Sequence, residues 1–159
     1  EDGIGKEADI VFFKFCYVDV DMNTDIDALF SEYKTGLSEL KKRFPEIEFV
    51  HLTVPLQQNE SGIKTFIKKI IGRPIVSHEK NLVKEQYNRL IRNEYQGKEP
   101  VFDLAYFESI SPDGKRTEYS LKGESYYTLE PSLTNDGGHL NETGKRQIAE
   151  QLLIFLTDL

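Results

Sequence analysis

The sequence predicts an α/β protein built on a parallel sheet. Three observations predict it. Apolar runs rich in Val, Ile and Phe occur at residues 8–18, 47–54 and 101–104, and they read as strands covered on both faces. Segments with apolar residues at helical spacing alternate with those runs. Pro and Gly separate them, as at Pro45, Pro55 and Gly72-Arg73-Pro74.

The elements follow in order. Residues 8–18 form the first buried strand, and the polar stretch 19–23 follows its carboxyl end. Thr24 is the expected N-cap of a first helix, with Asp25 and Asp27 in its first turn. Ile26, Leu29, Phe30, Tyr33, Leu37, Leu40 and Phe44 keep its apolar stripe, Lys41, Lys42 and Arg43 suit its negative end, and Pro45 stops it. Residues 47–54 form the second strand. A short helix over 61–71 turns Ile63, Phe66, Ile67, Ile70 and Ile71 inward. A third helix over 79–95 buries Val83, Tyr87, Leu90 and Ile91. The third strand, 101–104, is short. Residues 105–134 contain no predicted helix, but Lys122-Gly123 is a turn dipeptide between 116–121 and 125–129, which predicts a hairpin. The last helix runs over 147–159 on Ile148, Leu152, Phe155, Leu156 and Leu159.

The chain's 159 residues suit one domain over 1–159, and a net charge of −7 with interleaved acids and bases argues against nucleic acid as a partner. Cys16 is the only cysteine, so no intrachain disulfide forms, and it reads as a small core residue. No stretch is long enough to span a membrane. Composition does not assign a compartment, and export is compatible with it.

Chemistry concentrates at Asn135-Asp136-Gly137-Gly138-His139-Leu140-Asn141, just before the last helix. A histidine acting as a base needs one ring nitrogen toward the substrate and the other held by an acceptor. A carboxylate three residues earlier on a glycine-loosened turn can reach that second nitrogen. Asn141 or Thr143 would cap the helix, whose positive end disfavours imidazolium. In a parallel sheet such a turn lies beyond the carboxyl ends of the strands, where ligands bind. Tyr17 and Asp19, following the first strand on that side, are candidate cleft residues. The alternative for this stretch is a plain turn with a helix-entry histidine.

The block Asp136-Gly137-Gly138-His139-Leu140-Asn141 with Gly144 and an amphipathic helix resembles the last sequence block of the SGNH (GDSL-type) hydrolases. The stretches 9–19, 49–55 and 81–92, the last with Asn88, resemble bacterial members of that superfamily. The resemblance implies a flavodoxin-like three-layer α/β/α sandwich, a serine ester hydrolase needing no cofactor, and Asp136 and His139 as acid and base of a Ser-His-Asp triad. The substrate would be an ester, an acyl or acetyl group on a carbohydrate being one candidate.

Two features depart from the family pattern. No Gly-Asp-Ser-like block is present, and Ser31, Ser38, Ser61, Ser77, Ser109, Ser111, Ser120, Ser125 and Ser132 all fall in helices, loops or the hairpin. Val18 stands where the family's oxyanion asparagine would be, in Cys16-Tyr17-Val18-Asp19. The chain therefore resembles the later portion of the fold, lacking its first strands, with the serine expected upstream of residue 1 and that segment, or another chain, covering the sheet edge. The rival expectation is a non-catalytic carbohydrate-binding or assembly domain on the same scaffold. The three histidines, His51, His78 and His139, lack metal-ligand spacing, so no metal is expected. Asp103, at the end of the third strand, is expected either to support the cleft or to cap the next turn.

Overall fold

The structure, a computed structural model, describes residues 8–60 and 62–159. Three parallel strands, β1 (Ile10–Phe13), β2 (Glu48–Leu52) and β3 (Val101–Phe102), lie side by side in that order. Helix α1 (Ile26–Arg43) joins β1 to β2, while α2 (Ile63–Ile70) and α3 (Val76–Tyr95) join β2 to β3. After β3 come α4 (Leu104–Glu108), the hairpin β4 (Tyr119–Leu121) and β5 (Glu124–Tyr126), a 3-10 turn at Pro131–Leu133, and α5 (Glu142–Thr157).

Successive residues of a strand point to opposite faces, and β2 shows the consequence. Phe49 packs with Leu37 of α1 and Tyr87, Ile91 and Tyr95 of α3. Its neighbour Val50 packs with Phe102 against Ile148, Leu152 and Phe155 of α5. Both crossover helices thus cover one face and α5 the other, giving a three-layer α/β/α sandwich with the parallel sheet that the sequence predicts. Fully burying a side chain such as Phe102 contributes about 1.5–3 kcal/mol. His51 belongs to the α1–α3 layer, where it stacks on Tyr95 and bonds Tyr33 and Glu99.

Several boundaries differ from the sequence prediction, each for a local reason. The first strand spans four residues rather than eleven, because Asp19 Oδ2 accepts from Cys16 N and turns the chain. It is also not covered on both faces: Phe12 and Phe13 are exposed and, among the described residues, no strand pairs with its outer side. Cys16 is accordingly half-buried rather than a core residue. The cap of α1 is Asp25, which accepts from Ala28 N, while Thr24 Oγ1 accepts from Asp21 N in the preceding turn. The third strand stops at Phe102 because Asp103 caps α4 through Tyr106 N, so Leu104 is helical. Asp103 also takes a two-point contact from Arg92, whose remaining amine reaches Glu85. It is a cap and an ion-pair partner rather than a cleft residue.

Helix α2 contradicts the expectation that its apolar residues turn inward. Ile63, Phe66, Ile67, Ile70 and Ile71 are all exposed. The expected start of this helix, Ser61, lies outside the described residues. The third helix starts three residues earlier than expected, and α5 starts at Glu142 behind an Asn141 cap, ends at Thr157 and leaves Leu159 exposed. The hairpin forms around Lys122 and Gly123, whose φ values of 55° and 84° are those of a two-residue turn that matches strand twist. Among the described residues no helix is long and apolar enough to cross a membrane.

Candidate functional site

The Asp136–His139 turn stands at the carboxyl edge of the sheet, as a tightly bonded loop. Asp136 Oδ1 accepts from the backbone N–H groups of Gly138 (2.9 Å) and His139 (2.8 Å). Its other oxygen, Oδ2, lies 2.7 Å from His139 Nδ1. The backbone donors of His139 and Gly138, then the imidazole, hold this carboxyl far below the usual carboxylate range. Gly137 adopts φ 83°, the left-handed region that makes so short a loop possible. Thr134, which is buried, closes the loop: its hydroxyl donates to the His139 carbonyl (2.7 Å) and accepts from Gly137 N (2.9 Å). Asn141 caps α5 through Gly144 N and donates to the Ser132 carbonyl, tying the loop to the helix behind it.

His139 Nε2 points to Tyr17, whose hydroxyl lies 3.5 Å away, and the two rings meet edge to face. Tyr17 in turn lines a cavity of 450 Å³ with residues of the segments 57–60, 76–80 and 136–138. The imidazole stands on the rim of that cavity rather than inside it, and lines a smaller hollow of 260 Å³ with Asn135, Asn141 and Lys145. Of the two candidate cleft residues, Tyr17 is placed against the histidine. Asp19 is not; its carboxylate is engaged in the turn at Cys16 and lines neither cavity. Val18 is exposed. Among the described residues Nε2 has no serine partner, and Ser77, at the cavity wall, accepts from Glu60 N. Also among the described residues, no group of three or more His, Cys, Asp or Glu side chains is placed to hold a metal.

The far wall of the cavity rests on residues that the sequence pattern assigned no role in the site, although Asn88 lies in a stretch that carries the family resemblance. After β2 the chain leaves the sheet, and the polar groups of Val54, Leu56 and Gln57 need partners in a dry interior. Helix α3 supplies them from side chains two turns apart. Asn88 accepts from Val54 N (2.6 Å) and donates to Val54 O (3.0 Å). Asn81 does the same for Gln57 (3.0 and 2.7 Å). Glu108 accepts from Leu56 N, and Gln58 N donates to the Gly137 carbonyl, which joins this wall to the Asp136 loop. Lys84, one turn from Asn88, donates to the Gln57 side chain beneath the Tyr17 ring. Polar side chains at 81, 84 and 88, on the same helical side as Tyr87 and Ile91, are the signal that could have found this wall.

Lys84 and Glu108 are both buried, and each opposes its own ionisation. Burial, with Lys80 nearby, pushes the Lys84 ammonium down to about 7, and burial pushes the Glu108 carboxyl up to about 7. The unfolded chain ionises Glu108 near 4.5, so stability falls as pH rises from there to about 7. The unfolded chain keeps the Lys84 proton up to 10.5, so stability recovers from about 7 upward. Stability from this pair is therefore least near neutrality. Glu108→Gln is expected to stabilise the protein more at pH 9 than at pH 5, read from urea midpoints; equal effects at both would refute the assignment.

Gly144 gives a second test. A Cβ there would lie 2.6 Å from the Leu133 carbonyl oxygen and 2.9 Å from Leu140 Cδ2. The carbonyl is fixed by its bond from Asn141 N. Gly144→Ala is expected to cost about 1–3 kcal/mol by denaturant titration, despite the higher helix propensity of alanine.

No protein-family model matches this chain, and no curated protein matches it. Its fold is similar to that of a solved structure from Streptococcus pneumonia, described as a "putative platelet activating factor". The TM-score is 0.61 at 13% identity, over 93% of this chain and 59% of that one. The likeness is one of fold, and this chain spans 59% of that protein's length.

Proposed function

We propose that this chain carries the acid–base part of an SGNH-type serine ester hydrolase, acting on a small polar ester such as an acyl group on a carbohydrate. The observation that carries the reading is the Asp136–His139 pair, with Nδ1 held at 2.7 Å and Nε2 turned toward the cavity side. In this reading a serine from outside the described residues takes the place beside Nε2. His139 accepts the serine proton as the oxygen attacks the ester carbonyl, then returns it to the leaving alcohol. Water repeats the cycle to release the acid. Asp136 fixes the tautomer that leaves Nε2 free to accept, and stabilises the imidazolium that forms. The cavity wall of Gln58, Asn59, Ser77 and Lys80 offers donors and acceptors suited to a hydroxyl-rich leaving group. The exposed outer side of β1 supports a further strand there.

One observation favours a non-catalytic carbohydrate-binding domain instead: Tyr17 OH is the group that meets Nε2. A fluorophosphonate probe on the polypeptide as encoded in full separates the two. Hydrolysis predicts one serine adduct, located by peptide mapping, that forms far more slowly in His139→Ala. Saturable binding of a polysaccharide with no adduct would support the second reading.

A further inference from the structure

Helix α2 joins two properties that no role in the core or the cavity explains. Its large apolar side chains, Ile63, Phe66, Ile67, Ile70 and the following Ile71, share one helical side and are 50–80% exposed. A surface stripe of this kind ordinarily has an occupant. The segment from Ser61 to His78 also carries four basic residues, Lys64, Lys68, Lys69 and Arg73, and no acidic one, in a chain whose net charge is −7. Lys68 bonds Glu60, the last residue before the segment.

We propose that α2 is an interfacial helix that seats the protein on an anionic lipid bilayer. An apolar stripe flanked by lysines is the pattern of helices that lie in the plane of a membrane, with the apolar side in the acyl boundary and the ammonium groups at the phosphates. The local charge is opposite to that of an anionic surface and to that of the rest of the chain, so attraction acts on this segment while the remaining surface is repelled. A second copy is a poorer occupant, because a two-fold contact sets four basic residues against four. The placement has a functional result. Gln57 to Glu60 before the helix and Val76, Ser77 and Lys80 after it line the 450 Å³ cavity. A membrane holding α2 therefore holds the mouth of that cavity near the headgroups. The inference stands whether or not the chain hydrolyses an ester.

The chain has no tryptophan, so Phe66→Trp places a single reporter on the stripe. With vesicles of phosphatidylglycerol mixed into phosphatidylcholine, its emission should shift to the blue and be quenched by brominated acyl chains. Phosphatidylcholine alone should bind at least tenfold more weakly, and added salt should reverse the binding. Lys68→Gln with Arg73→Gln should weaken partition roughly 10- to 30-fold. Ile67→Asp with Ile70→Asp should abolish co-sedimentation of the otherwise native chain while its circular dichroism melt stays unchanged. Emission that stays at its aqueous position with anionic vesicles would overturn the proposal. So would emission already blue without lipid, which would show the stripe covered by protein.

Discussion

His139→Ala should lower kcat for a short-chain aryl ester by roughly 10⁴–10⁶-fold in the polypeptide as encoded in full, with little change in fold. The imidazole is well exposed and its loss opens no core cavity. What disappears is the only group in the loop able to take a hydroxyl proton and return it. Asp136→Asn should cost about 10⁴-fold. Its amide would keep the two backbone bonds through oxygen but could turn its NH2 toward Nδ1, which moves the imidazole proton to Nε2 and blocks it as a base. Because Asp136 is held far below the usual carboxylate range, it stays ionised across the assay range. Activity within tenfold of wild type in His139→Ala would point to another base.

Asn88→Ala should destabilise the fold more than either Asn81→Ala or Gly144→Ala. Asn88 is fully buried, and both of its amide atoms are bonded to Val54, itself fully buried. Truncation leaves one N–H and one C=O without partners, at about 1–3 kcal/mol each. A loss of about 2–5 kcal/mol in urea, with an unchanged slope, is the expected outcome. Asn81→Ala supplies the comparison. The Gln57 carbonyl also accepts from Leu129 N, and Asn59 Oδ1, which loses its bond from Asn81, lies on the open cavity, so among the main-chain groups only Gln57 N is orphaned and the cost should be about half. Equal losses, or a cost below about 1 kcal/mol for Asn88→Ala, would mean that water replaces the amide.

The parallel order of β1, β2 and β3 is legible in the sequence because apolar strands and amphipathic helices alternate along the chain. The hairpin is legible because Lys122-Gly123 meets a specific dihedral requirement. What is not legible shares one cause: periodicity marks an apolar side but not what covers it. The apolar residues of the first strand and of α2 both have the pattern of buried sides, yet Phe12 and Phe13 in the one, and Ile63, Phe66, Ile67 and Ile70 in the other, are exposed. At the site, Asp136, His139 and Tyr17 can be placed at one edge of the sheet from sequence, since all three follow from strand ends and a glycine turn. Asp19 cannot, because its carboxylate serves its own turn, as acids after strands often do. The wall-holding roles of Asn81, Lys84 and Asn88 are hidden by the apolar members of α3, which dominate its pattern. Polar residues on a buried helical side have to bond something, and here they bond the cavity wall.

Asn81 and Asn88 of α3 bond the main chain, not the side chains, of Val54 and Gln57, and this has a consequence for how the protein can change. Main-chain atoms are the same whatever residue carries them. The path of the wall is thus set by the helix behind it and is indifferent to the side chain presented at Gln58. Substitutions there can alter which compound fits without moving the scaffold. Insertions or deletions between Glu60 and Val76 can lengthen or remove α2 without touching either grip. The cavity wall and α2 can therefore change independently of one another, while both wall segments depend on Asn81 and Asn88.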